Sequence, residues 1–273
     1  MASLIYSMLP KKTPQPKKIH VPIAGNELLE KALESINNNV EVITLWKVIN
    51  INAIDRLGMS DHGPVHVQII ANIALRLTRI LLKHDLEMSI TKYFGLSEPY
   101  AELVVLLASL FHDLGMSISR EGHEEFSLFL ANELLHKVLE FLSVEERTIV
   151  TSEVLHAIIA HRSGGKPNTI EAGIVRVADA LDMSEGRSRI PYEAGNVDIY
   201  SVSAAAIDKV EIMEGDDKPI QINILMNNSA GLFQVDELLK RKLIGSGIEK
   251  YVKVRALIER RREKKLLKEF EIS

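Results

Sequence analysis

Apolar residues recur at helical spacing through the first two thirds of this chain. Leu28, Leu29, Leu33 and Ile36, then Val42, Leu45 and Ile49, predict helices across 26–57 with a break at Asn37-Asn38-Asn39. Ser60-Asp61-His62-Gly63-Pro64 reads as a turn, and Pro64 suits the first position of a helix over 64–83. Residues 101–111 (AELVVLLASLF) are apolar nearly all round, the mark of a helix buried on every side. That helix runs into His112-Asp113-Leu114-Gly115, where Gly115 is expected to end it in a left-handed turn. A helix over 121–142 follows. Ser143-x-x-Glu146 is a capping-box signature opening the next helix, which lasts until Ser163-Gly164-Gly165. A further helix over 169–183 is opened by Asn168 or Thr169.

The period changes after Pro191–Gly195. Residues 207–214 and 219–226 alternate as strands do, joined by the turn-like Gly215-Asp216-Asp217-Lys218. An amphipathic helix over 233–250 and an alternating strand over 251–258 complete a small α+β unit. The predicted fold is mainly α, a helical bundle followed by a two-layer α+β sandwich. The expected divisions are a lead-in over 1–25, a helical domain over 26–192 and the small domain over 193–273.

Composition narrows the chemistry. The 273 residues are 46% hydrophobic, enough for a substantial core, and the formal charge is −4. That balance argues against a chain built around non-specific nucleic-acid binding. The basic tail from Lys240 to Lys268 is interleaved with Glu, which reads as a solvated face. There is no cysteine, so disulfides and thiolate ligands are excluded. Any metal must be held by His, Asp or Glu, which suits manganese, iron, magnesium, cobalt, nickel or zinc. The apolar runs read as too short to span a bilayer, and MASLIYSML has no basic residues ahead of it, so it makes a poor signal peptide. A cytoplasmic protein is expected. The apolar helix faces are compatible with a homodimer.

The histidines sort by position. His66, His112, His123 and His161 each fall on an apolar stripe within a turn of a helix end, and Asp113 and Asp179 share that placement. One buried histidine satisfied by a carbonyl would be ordinary. Burying four with two carboxylates is costly unless something compensates, and a divalent cation does so. Helix ends packed together can bring such residues to one point.

The order His66, His112-Asp113 and then Asp179 within Val177-Ala178-Asp179-Ala180-Leu181-Asp182 resembles the HD superfamily of metal-dependent phosphohydrolases, over about residues 40–190. The resemblance implies that His66, His112, Asp113 and Asp179 hold one metal. Members with two metals add histidines between the His-Asp pair and the last Asp. His123 and His161 stand in that interval, so Asp113 would bridge two ions, with His156 as a competitor of His161. The chain lacks the glycine-tyrosine-proline signature of the cyclic-dinucleotide-degrading branch.

Two such cations would activate a shared water near neutral pH and neutralise charge on a phosphoryl group. Arg162 and Lys166 follow His161, and Arg187 and Arg189 follow Asp179. All four are candidates to hold phosphate oxygens, surface charge being the alternative. His62 is a candidate proton donor to the leaving oxygen, or else simply shapes the turn before Pro64. Asp182 and Glu124 sit beside ligands and either orient them or solvate helix ends. The expected activity is hydrolysis of a phosphate ester or phosphodiester, of a small-molecule nucleotide, with Asp113 central to it. The alternative is a nucleotide-binding regulatory protein whose C-terminal domain, which supplies no obvious catalytic group, reports the bound state. Some di-iron relatives are oxygenases, a third class that no residue here requires.

Overall fold

The computed structural model describes residues 18–162, 164–183 and 199–258. The first helix, α1 (Glu27–Asn37), is capped by Asn26, whose side chain accepts from the Leu28 and Leu29 amides. The predicted break at the asparagines is two caps in succession. Asn38 ends α1, and Asn39 accepts from the Glu41 and Val42 amides to open α2 (Val40–Asn50), which runs into a π-helical stretch, Ile51–Arg56. α3 (Pro64–Lys83) begins at the proline, as expected. A short α4 (Ser89–Phe94), unforeseen in the sequence, stops at Gly95, whose φ of 69° only glycine adopts freely.

α5 (Glu98–Phe111) is the axis of the bundle. Every residue from Ala101 to Phe111 is buried, and α1, α3, α4, α7 and α8 all pack on it. α6 (His123–Val138) is shorter than its pattern. α7 (Val144–Ala160) carries the full capping box, with Ser143 Oγ accepting from the Glu146 amide at 3.2 Å and Glu146 Oε2 from the Ser143 amide at 3.0 Å. Thr169, not Asn168, caps α8 (Ile170–Leu181). By length and composition alone α3 and the helical span Glu98–Ser117 could cross a bilayer, contrary to the expectation that no run was long enough. They are apolar because they are core helices, with 56% and 89% of those windows buried inside the protein.

After α9 (Ile199–Ala204), β1 (Ile207–Glu214) pairs antiparallel with β2 (Ile220–Met226) from Ile207↔Met226 to Glu214↔Ile220. β3 (Val252–Ile258) then pairs parallel with the other edge of β2, Ile220 opposite Val252. Parallel neighbours need a crossover, and a helical segment supplies it: a π-type stretch, Gln234–Lys240, continuing as Arg241–Leu243. The helix expected to reach residue 250 stops there, because Gly245 (φ 74°) and Gly247 (φ 82°) turn the chain through left-handed conformations. Ile220, Ile222, Ile224 and Met226 all face inward and join one continuous core with the helices. α3 lies against β1 and β2, and α8 against the crossover helix.

One buried contact gives a pH test. Glu153 on α7 faces Glu171 on α8, and burial, reinforced by the Glu171 charge, pushes the Glu153 carboxyl up to about 7. A raised value means folding favours the protonated form, so its stabilising contribution is present in acid and lost as pH rises through about 7. Glu153→Gln should therefore stabilise the protein at pH 8 by about 1 kcal/mol, after allowance for solvent screening. That corresponds to a rise in Tm of about 2–4 °C. The gain should vanish toward pH 4.5, the ordinary glutamate value. Thermal melts at the two pH values check it, and equal shifts at both would contradict it.

Candidate metal centre

Five helix ends bring their side chains to one point. His66 stands in the first turn of α3 and His123 at the first position of α6, while His112 caps the end of α5, His161 the end of α7, and Asp179 lies in the last turn of α8. Three of these are C-terminal ends, whose carbonyl dipoles favour positive charge. Asp113 follows His112 at the focus, and all four histidines and Asp113 are buried.

Local packing fixes each donor. Asp61 accepts from the amides of Gly63 and His66 at 3.1 and 3.2 Å and holds the turn into α3. Ser127 Oγ accepts from the Gly115 amide at 2.8 Å and lies 2.7 Å from the carbonyls of both His112 and His123, so it stitches the end of α5 to the start of α6. Gly115 is not in a left-handed conformation, contrary to expectation. It sits in a 3-10 turn, Leu114–Ser117, and is glycine for want of space. A Cβ there would stand 2.0 Å from the His123 carbonyl oxygen.

The ring orientations share one rule. Nδ1 of His112 donates to the Ser109 carbonyl (2.9 Å), that of His123 to the Arg120 carbonyl (2.9 Å) and that of His161 to the Ile158 carbonyl (2.6 Å). Nδ1 of His66 meets Asp182 Oδ2 at 2.6 Å. Carbonyls only accept, so the proton of each neutral ring is drawn to Nδ1, and Nε2 presents a lone pair to the centre. Asp113 divides the set. Its Oδ2 lies 3.3 Å from His112 Nε2 and 3.5 Å from His66 Nε2, and its Oδ1 lies 3.1 Å from His123 Nε2 and 3.9 Å from His161 Nε2. Asp179 Oδ1 adds 3.6 Å to His66 Nε2 and 3.9 Å to His112 Nε2.

A divalent cation fits these donors. With bonds of about 2.0–2.2 Å, two ligands of one ion lie roughly 3–4.3 Å apart, the range seen here. His66, His112 and Asp179 form one group that could hold an ion, and His112, Asp113 and His161 another. His112 Nε2 is buried with no well-formed hydrogen bond, a cost a metal would remove. Protonation agrees. Burial would raise the Asp113 carboxyl, but the imidazoles of His112, His123 and His66 outweigh it and hold the group well below the usual carboxylate range. Asp179 is likewise held low, against burial, chiefly by Lys242. His161 is pushed down to about 3 by burial and by His112, so it is neutral and ready to bind. His123 moves the other way, because Asp113 outweighs the effect of burial. Metal binding on the His123 side should therefore displace a proton and strengthen as pH rises through the raised His123 value. Calorimetric titration of manganese in buffers of different ionisation enthalpy measures that proton. None released would contradict it.

The remaining candidates separate. Asp182 orients His66 directly. Glu124 touches His123 Nδ1 (3.2 Å) and pairs with Arg162 (2.8 Å), linking that arginine to the site through a shared carboxylate. His62 is buried, its ring centroid 5.3 Å from that of His66, and its Nδ1 also bonds the Ser60 carbonyl, so it both borders the site and shapes the turn. His156 stands outside the cluster and accepts from the Asn168 amide. Lys166 is exposed on the loop after α7. Arg187 and Arg189 lie outside the described residues. The sequence reading missed Lys242, whose ammonium pairs with Asp179 Oδ2. The C-terminal region, expected to supply no obvious catalytic group, brings this charged group to Asp179. Removing the Asp182 carboxylate (Asp182→Ala) should weaken manganese binding about 10- to 100-fold, and Asp182→Asn, which can still accept from Nδ1, less. Calorimetry ranks the three proteins, and equal affinities would contradict the orienting role.

A helical bundle that closes four imidazoles and two aspartates around one point is the architecture of an HD domain. The HD domain profile matches residues 62–184, the stretch holding all six donors. The chain belongs to the HD-domain superfamily of metal-dependent phosphohydrolases. It is 43% identical to the protein MJ1020 of Methanocaldococcus jannaschii over 240 residues, 88% of this chain and 92% of that one. It is 27% identical to ribonuclease Y of Onion yellows phytoplasma over 167 residues, 59% of this chain but 29% of that protein. A deoxyguanosinetriphosphate triphosphohydrolase-like protein of Caldanaerobacter subterraneus is 29% identical over 113 residues, 39% of this chain and 32% of that protein. No solved structure matches.

Proposed function

We propose that the protein hydrolyses a phosphate ester or phosphodiester of a small-molecule nucleotide in the cytoplasm, using divalent cations, manganese or iron foremost. The observation that carries this is the common orientation of the four imidazoles, with every Nδ1 tied back and every Nε2 turned toward Asp113. His66, His112, Asp113 and Asp179 would hold one ion, and Asp113, His123 and His161 a second. Ions held there would supply an activated water and offset the charge of the phosphoryl group. Asp113 orients both halves of the site through its two oxygens. His62, bordering His66, serves as the proton donor to the leaving oxygen. Arg162 steadies His123 through Glu124, and its remaining donors, with Lys166, Arg187 and Arg189, are assigned to phosphate oxygens. A nucleotide substrate is favoured because the two distant relatives are named for action on RNA and on a deoxynucleoside triphosphate.

The test uses the full chain stripped by chelator, reloaded with manganese or iron, and given nucleoside mono-, di- and triphosphates, cyclic nucleotides, dinucleotides and a short RNA. Metal-dependent release of product from a small nucleotide is expected. No turnover with any reloaded metal, or turnover that survives chelation, would overturn the reading. A regulatory role has one observation in its favour, the direct contact of the C-terminal region with Asp179 through Lys242. Tight, metal-dependent binding of a nucleotide recovered intact would establish it instead.

A further inference from the structure

Three cations stand in a row in the crossover helix, Lys240, Arg241 and Lys242, and the fold treats them differently. Lys240 pairs with Asp236 at 2.6 Å and Arg241 with Glu237, each with the carboxylate one turn back. The residue one turn before Lys242 is Leu238, so no local partner holds it on the surface. Its side chain is instead 17% exposed, and it meets the outer oxygen of Asp179, whose other oxygen faces His66 and His112.

The backbone around Lys242 is fixed to the metal-site helices at two further points. Arg176, buried on α8 one turn before Asp179, donates to the carbonyls of Gly165 (2.5 Å) and Arg241 (3.0 Å). It thus ties the loop after His161 to the residue preceding Lys242. Three residues earlier on α8, Gly173 lets the chain at Ser246 come so close that a Cβ would stand 1.9 Å from its carbonyl oxygen. A lysine whose segment is clamped on both sides and whose ammonium is led into a buried centre differs from an ordinary surface charge.

We infer that Lys242 is a substrate-contacting residue, its ammonium binding non-bridging oxygens of the phosphate group beside the metal centre. This rests on the phosphohydrolase reading above. Once a divalent cation engages Asp179, that carboxylate no longer holds the ammonium as strongly, and two positive groups close together favour a dianion between them. Phosphate supplies that charge. The C-terminal region thereby becomes part of the substrate site.

The probe is inorganic phosphate, titrated calorimetrically into manganese-loaded full-length protein. Lys242→Met should weaken phosphate binding about 10- to 100-fold, and Lys242→Arg should restore much of it. Bound metal, measured by elemental analysis, should stay the same in both variants. In turnover of whichever nucleotide the wild type hydrolyses, Lys242→Met should raise KM as well as lower kcat. Gly173→Ala offers an independent route, since it displaces the segment at Ser246 and should weaken phosphate binding with all six donors intact. If Lys242→Met binds phosphate as tightly as wild type while gaining manganese affinity, Lys242 is only a counter-ion for Asp179 and the inference fails, leaving the phosphohydrolase reading in place. If metal-loaded wild type binds no phosphate and hydrolyses no nucleotide, both fail.

Discussion

Asp113→Asn is expected to empty the metal centre and lower phosphoester turnover by about 10³-fold. The side chains are nearly the same size, so the effect isolates charge and lone pairs. The two oxygens of Asp113 face both halves of the donor set, His66 and His112 on one side and His123 and His161 on the other. An amide keeps one acceptor and turns a pair of hydrogens toward the opposite half, where Nε2 lone pairs wait. One half would then bind an ion poorly and the other scarcely at all. The carboxyl is held well below the ordinary range, so its stabilising interactions are complete above the unfolded value and are lost only as pH falls through the folded one. Between pH 6 and 8 the wild-type aspartate is fully ionised, and the deficit of the variant should not vary with its titration. Elemental analysis and steady-state kinetics on matched preparations decide the matter. A variant retaining the wild-type metal content and near wild-type rates would remove Asp113 from the site.

The second large effect is expected at a residue with no side chain. Gly115→Ala should destabilise the protein by about 3 kcal/mol, because its new methyl falls 2.0 Å from the His123 carbonyl oxygen and 2.7 Å from the Ser127 amide nitrogen. Both neighbours are backbone, so the start of α6 must move away from the end of α5. For a chain of this size the loss corresponds to a fall in Tm of about 6–12 °C. The displacement should be felt in chemistry too, since His123 opens α6 and rides with it. Metal content of folded Gly115→Ala should fall below that of the wild type. Gly164→Ala, where a Cβ meets nothing within 4 Å, is the control and should change neither quantity. Equal melting temperatures for Gly115→Ala and wild type would show that the two helix ends can part at little cost.

The contrast between these two residues marks what the sequence could reveal. The run Ala101–Phe111 has no polar face, so its burial on all sides was legible from composition alone. Histidines on apolar stripes near helix ends were equally legible, because unpaired imidazoles are costly in a core. Gly115 was legible as a glycine needed after a helix, but the reason lies in the approach of α6, a tertiary fact without a local signal. The same holds for the helix that ends at Leu243 instead of residue 250. Its apolar spacing continues, yet the glycines flanking Ser246 bring that serine into the core against α8. Lys242 is the clearest case. Three adjacent cations look alike in a string of letters, and only the packing of the crossover helix on α8 decides which of them turns inward.

The pairing of Lys242 with Asp179 also orders events during synthesis. The two residues are 63 positions apart, and the acid emerges first. A nascent chain that has completed α8 already contains every donor of the centre, yet the lysine that balances one of them is still to be translated. In that interval only the imidazoles of His112, His161 and His66 stand by to balance Asp179, so the full complement of charge around that carboxylate waits on the last third of the chain.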